Sequence, residues 1–137
     1  MENESNLKMN RAQIQYPLDP ESEGALREFL EKHFPSYLAR SRKDSLTVPA
    51  GATSFSVTSN FMVVTGAAGV TIGTILGGYE GQILTLQFTD ANITITDTGT
   101  AAANTVNLSA AFTSTANDTM QLIFDGASWF EVGRSTN

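Results

Sequence analysis

The sequence predicts a mainly β protein: an antiparallel β-sandwich or jelly-roll-like head, preceded by an extended arm and one short amphipathic α-helix. Three observations predict it. From Ser45 onward the apolar residues recur every second position, as half-buried strands require. Turn residues (Gly, Asn, Asp, Thr) interrupt that alternation at the short intervals typical of sandwiches. Finally, composition changes abruptly near residue 44. Residues 1–44 hold seven of the eight Lys and Arg and eight of the fourteen Asp and Glu, whereas residues 45–137 carry Arg134 as their one base against six acids. The chain therefore divides into residues 1–44, an arm, helix and hinge that contact a partner or neighbour, and residues 45–137, the β domain.

The arm comes first. Residues 1–18 show no sustained periodicity, although Ile14, Tyr16 and Leu18 alternate with Gln15 and Pro17. Pro17 lacks an N–H and bars the segment from a central strand, so it reads as an arm that orders on a neighbour. The polar start MENESNLKMN argues against a secretory signal.

Residues 19–34 form the helix. Asp19 is a good N-cap, Pro20 suits the first helical position, and Glu21 and Glu23 complement the positive end of the helix dipole. Ala25, Leu26, Phe29, Leu30 and Phe34 lie on one stripe. Arg27 with Glu31, and Glu28 with Lys32, are spaced as i,i+4 pairs on the wet side. Pro35 ends the helix, because the residue before a proline disfavours the α region. Such a short helix is marginal alone, so its stripe must be buried, on this chain's own β domain, a symmetry mate or another protein. The candidate partner-binding residues are Leu26, Phe29, Leu30 and Phe34, with Tyr37 beyond the helix and Ile14 and Tyr16 in the arm. His33, the one histidine, is a helix-end residue near the negative end of the dipole. Residues 36–44 read as a hinge, with Arg40, Arg42 and Lys43 as a small basic cluster on a solvated linker.

The expected strands are 46–48, 53–58, 61–65, 70–75, 82–89, 92–96, 105–108, 119–124 and 128–133. Leu84, Leu86 and Phe88 share one face; Met120, Leu122 and Phe124 do the same; Phe130 and Val132 alternate with Trp129 and Glu131. Asp125-Gly126 between two such runs signals a hairpin. Gly77, Gly78 and Gly81 serve a turn, since a strand follows and no phosphate-loop lysine is present. Thr98–Ala103 is an exposed loop of small residues.

Several functions are excluded or disfavoured. An acidic domain with a single base repels phosphate, so no nucleic-acid partner is expected. No apolar run is long enough to span a bilayer, so no membrane partner is expected either. Cysteine is absent, which removes disulfides and thiolate chemistry. Serine nucleophiles lack a base, because the histidine lies in the helix. Asp90, Asp97, Asp118 and Asp125 fall in or beside loops without calcium-loop spacing, and turn-capping explains each of them. No catalytic residue, metal or cofactor is therefore expected, and the chain is not expected to be an enzyme. Trp129 either lies in the core or faces outward, where it and Tyr79 would offer rings for a sugar.

The run Gly78-Tyr79-Glu80-Gly81-Gln82-Ile83-Leu84-Thr85-Leu86, then Asn117-Asp118, Leu122 to Val132 and Arg134-Ser135, resembles the β modules of tailed-phage virion proteins: fibres, spikes and head-decoration chains. The resemblance covers under half of the chain and carries no catalytic motif. It implies a β-sandwich that assembles as a homotrimer. The short chain, with an arm, a helix and a compact head, points within that group to a capsid decoration (cement) protein on the virion's capsid surface, assembled in the host cytoplasm. Its partners would be copies of itself and the major capsid protein or another virion protein. The alternative is a fibre or spike head module that binds a host glycan or receptor.

Overall fold

The computed structural model describes residues 20–33 and 42–137. The chain divides into two compact units, Met1–Ala39 and Arg40–Asn137.

In the first unit, helix α1 runs Pro20–His33 with Glu21 and Glu23 in its first turn. Leu26, Phe29 and Leu30 are half-buried along one side. Arg27 reaches back toward the N-terminus, where its Nη2 lies 4.0 Å from Glu23 Oε1; the side chain of Glu31 lies outside the described residues. Both side chains are exposed, so the pair contributes only about 0.2–0.5 kcal/mol. The expected cap Asp19, the arm and Phe34 lie outside the described residues.

In the second unit, eleven strands follow one another: β1 (Lys43–Val48), β2 (Ser54–Ser56), β3 (Phe61–Gly66), β4 (Val70–Ile72), β5 (Thr74–Leu76), β6 (Ile83–Phe88), β7 (Ile93–Ile95), β8 (Val106–Asn107), β9 (Phe112–Thr113), β10 (Thr119–Phe124) and β11 (Trp129–Ser135). β1 starts at Lys43, so the last two residues of the expected hinge are strand. The strands form a six-stranded sheet in the order β1-β3-β6-β10-β11-β8, a three-stranded sheet β4-β7-β9 and a two-stranded sheet β2-β5.

The expectation of an antiparallel jelly roll is corrected here. β1–β3, β3–β6, β2–β5, β4–β7 and β8–β11 pair in parallel; only β6–β10, β10–β11 and β7–β9 are antiparallel. From β1 to β7 the chain moves between the sheets and returns to each in the same direction. Lys43 thus stands opposite Phe61, and Phe61 opposite Thr85. This is solenoid-like stacking. Period-two alternation is common to both strand directions and cannot distinguish them.

In the middle of the chain the glycines form corners between sheets. The run expected as one strand over 70–75 changes sheet at Gly73, whose N–H donates to Thr53 O (3.0 Å) and whose carbonyl accepts from Val106 N (3.2 Å). At Gly66 the N–H donates to Asp90 Oδ2 (3.0 Å) and the carbonyl accepts from Asn92 Nδ2 (2.9 Å). A Cβ there would lie 2.6 Å from Asn92 Cβ, so only glycine fits.

One apolar core joins all three sheets. Met62, Leu84, Leu86, Met120 and Leu122 come from the large sheet, Ile72, Ile93, Ile95 and Phe112 from the three-stranded sheet, and Phe55 and Ile75 from the pair. Each fully buried side chain of this size contributes about 1.5–3 kcal/mol before chain entropy is counted. The rings of Phe88 and Phe112 lie 5.3 Å apart, and those of Phe124 and Trp129 4.9 Å apart.

Candidate interaction surface

The outward face of the six-stranded sheet is the first candidate surface. Successive side chains alternate across a strand. Because Leu84, Leu86 and Phe88 of β6 enter the core, Ile83, Thr85 and Gln87 face away. The same parity sends Phe61, Val63 and Thr65 of β3 outward, and Thr119, Gln121 and Ile123 of β10. The register sets Ile83 opposite Ile123, Ile123 opposite Phe130, and Phe130 opposite Asn107. Ile83 and Ile123 are 41% and 37% exposed. Beside them, Gln121 Nε2 donates to Thr85 Oγ1 at 3.1 Å, and the Thr65 and Thr89 hydroxyls share a 2.7 Å hydrogen bond.

A second surface lies at the rim before β3 and β6. Tyr79 is 41% exposed. Its N–H donates to Oε1 of the buried Gln82 (3.2 Å), and its hydroxyl accepts from Asn60 Nδ2 (3.4 Å). Gln82 Nε2 in turn donates to Asn60 Oδ1 (2.8 Å). Nearby, the Thr58 hydroxyl donates to Asp44, which holds that carboxyl below its ordinary pKa. The buried Gln82 amide therefore holds the Tyr79 backbone and Asn60, and Asn60 in turn reaches the ring's hydroxyl.

Trp129 takes the core setting of the two open to it. It is fully buried, and its Nε1–H donates to Ile75 O at 2.9 Å. Gly78 packs against it: a Cβ there would lie 2.6 Å from Trp129 Cζ2 and 2.9 Å from Phe124 Cγ. The glycine run thus makes a turn, with Gly81 at φ +84°, and also admits the indole. The second role has no signature in the sequence.

Glu131 and Arg134 form a clamp that the sequence analysis did not find. A register shift between Gln121 and Leu122 bulges β11, leaving Val132 56% exposed and breaking the expected alternation with Phe130. Arg134 Nη2 donates to Glu131 Oε2 (2.7 Å) and to Ala110 O (2.8 Å), and its guanidinium lies 5.2 Å from the Phe112 ring centroid. Glu131 Oε2 also accepts from Ser109 N (2.9 Å). The Arg134 hydrogen bond is the main cause that holds the Glu131 carboxyl down at about 2.

The loop aspartates cap turns. Asp90 Oδ1 accepts from Asn92 N (2.9 Å), and Asp97 Oδ1 accepts from Leu108 N (3.0 Å). Asp118 accepts from Thr115 N (2.7 Å) and Asn137 N (2.8 Å); Asp125 accepts from Ala127 N and Ser128 N, both at 2.8 Å. At Asp118 and Asp125 the hydrogen bonds stabilise the ionised form, led by Asn137 N–H and Ser128 N–H respectively, and lower both pKa values. Among the described residues no three His, Cys, Asp or Glu side chains converge as a metal site would require.

Of the residues expected to bind a partner, Leu26, Phe29 and Leu30 share one side of α1. Ile14, Tyr16, Phe34 and Tyr37 lie outside the described residues.

With this geometry in place, residues 41–130 match the family described as the phage depolymerase C-terminal beta sandwich domain. No curated protein and no solved structure matches the chain significantly.

Proposed function

The chain belongs to the phage depolymerase C-terminal β-sandwich domain family, and from that premise we propose that it is a structural β module of a phage tail fibre or spike, carried on the virion, that contacts the bacterial surface glycan without cleaving it. The observation that carries this reading is the family match over residues 41–130, which spans the β unit from its first strand into its last. The Tyr79 rim supports the glycan half of the reading. An exposed aromatic ring beside amide and hydroxyl groups suits the apolar face and equatorial hydroxyls of a sugar. The non-catalytic half is supported by the loop carboxylates, which are engaged by backbone N–H groups at turns.

Two measurements test it. Gold-labelled antibody against the chain is expected at the tail of the virion. The purified chain is expected to bind host surface polysaccharide without shortening it, and Tyr79→Ala is expected to weaken that binding at least several-fold. A label on the head shell, or binding to empty capsids and not to cells, would overturn the reading. That outcome would favour capsid decoration instead, a role supported by the Leu26, Phe29 and Leu30 side of α1, which suits a grip on a shell protein.

A further inference from the structure

We propose that the Tyr79 rim selects a sugar that carries an acetamido group, whose carbonyl accepts a hydrogen bond from Asn60 Nδ2. The proposal rests on the glycan reading above and names the chemical class that this rim takes.

The selection begins at a backbone N–H. That of Tyr79 can only donate, so Oε1 of the buried Gln82 amide must face it, at 3.2 Å. Gln82 Nε2 is thereby turned toward Asn60, where it donates to Oδ1 at 2.8 Å. Asn60 Nδ2 then faces the Tyr79 hydroxyl, 3.4 Å away. Reversing either amide would set donor against donor, so one backbone group fixes the polarity of both. Asn60 is half-buried, and its Nδ2 carries two hydrogens. The long contact to the ring hydroxyl engages one of them, and the other is offered to a ligand, while Oδ1 is already turned to Gln82.

The rim thus presents a fixed donor beside an aromatic ring. A carbonyl accepts without bringing a proton that needs a partner of its own; a sugar hydroxyl brings one, and a protonated amine brings donors alone. A uronic carboxylate also accepts, but it meets like charge. Glu80 is exposed next to Tyr79 and lies along the β10–β11 turn, where a Cβ on Gly126 would stand 3.6 Å from its Cγ. Asp44 holds the Thr58 hydroxyl, two residues before Asn60. Both carboxylates disfavour a further anion. Lys43, beside Asp44, stands opposite Phe61 on the outward face of the sheet. An acetamido group is uncharged, and its methyl suits the face of the Tyr79 ring.

β-Linked oligomers of N-acetylglucosamine, glucosamine and glucose differ at the second ring carbon alone, and their binding to the full chain tests the proposal, with an oligomer of glucuronic acid as a fourth ligand. The acetamido oligomer is expected to bind about fivefold more tightly than the glucose oligomer, and the amine and uronic oligomers more weakly still. Asn60→Ala removes the donor without adding charge and is expected to abolish the acetamido preference while binding through Tyr79 remains. Gln82→Met releases the Asn60 amide from its fixed orientation and is expected to reduce the preference. Circular dichroism melts run alongside, and Asn60→Ala decides the matter should Gln82→Met fail to fold. Equal binding of the oligomers, tighter binding of the amine or uronic one, or a preference that survives in Asn60→Ala would overturn the proposal. Binding to host polysaccharide but to no acetamido oligomer would overturn it too, and would leave the glycan reading standing. Binding to neither would overturn both.

Discussion

The first seven strands and the last four are built by different rules. β1 to β7 pair only in parallel among themselves, and each returns to its sheet after the chain has visited another. β9, β10 and β11 close the structure through antiparallel pairs, one of them a hairpin across the turn at Asp125 and Gly126. The parallel part holds its corners with polar side chains such as Asp90 and Asn92 around Gly66. The antiparallel part is held by aromatic packing and by an ion pair. The comparison shows what couples the parts besides the β6–β10 and β7–β9 ladders: Trp129 sits on β11, but its indole donates to the carbonyl of Ile75 on β5.

The largest effect should follow from cutting that link. Trp129→Ala removes a fully buried ring and leaves the Ile75 carbonyl without its donor. The expected loss is about 3–5 kcal/mol, read by urea denaturation, with both parts unfolding together. A loss below 1 kcal/mol would show that the parts do not depend on the link. Gly78→Ala probes the same joint by crowding it. Its Cβ meets Trp129 Cζ2 at 2.6 Å, and overpacking there is expected to cost about 1–3 kcal/mol.

Acid should act on the antiparallel part. Glu131 is held at about 2 in the folded chain, below its ordinary 4.5. Its contribution is therefore complete above 4.5 and is lost as pH falls through that value toward 2. With the side chains 22% and 11% exposed, the loss is expected at about 1–2 kcal/mol after solvent screening. In Glu131→Gln this part of the pH dependence should vanish, leaving the shallower dependence of the turn aspartates. The smallest effect is expected in the hairpin. Gly126 has φ +101° and its added Cβ would meet only ordinary contacts with Glu80, so Gly126→Ala should cost about 1 kcal/mol from backbone strain alone.

What could be read from the sequence follows the same division. Asp125-Gly126 announced the β10–β11 hairpin because an antiparallel link is local, and its turn chemistry is written in adjacent residues. The alternation in β6, β7 and β10 was equally plain. The direction of pairing in β1, β3 and β6 was not, because parallel strands meet across long connections and leave no residue that marks the match. β9 is two residues long and too short to alternate. β1 begins with the charged Lys43 and Asp44, which looked like linker. The Glu131–Arg134 pair depends on a bulge that shifts the register of β11, and bulges carry no fixed residue signal. The surfaces were only partly legible. Tyr79 stood out as a ring, whereas the row of Ile83, Ile123 and Phe130 appears only once the strand order is known.

The coiled path of β1 to β7 bears on how such a module changes over generations. Neighbouring strands in each sheet are separated by one circuit of the chain, and each circuit meets only the circuits next to it. Inserting or deleting a whole circuit would lengthen or shorten the body by about 4.8 Å, the spacing between paired strands, while leaving the remaining pairings and the antiparallel closure as they are. Length is thus a property this architecture can vary without redesigning its ends.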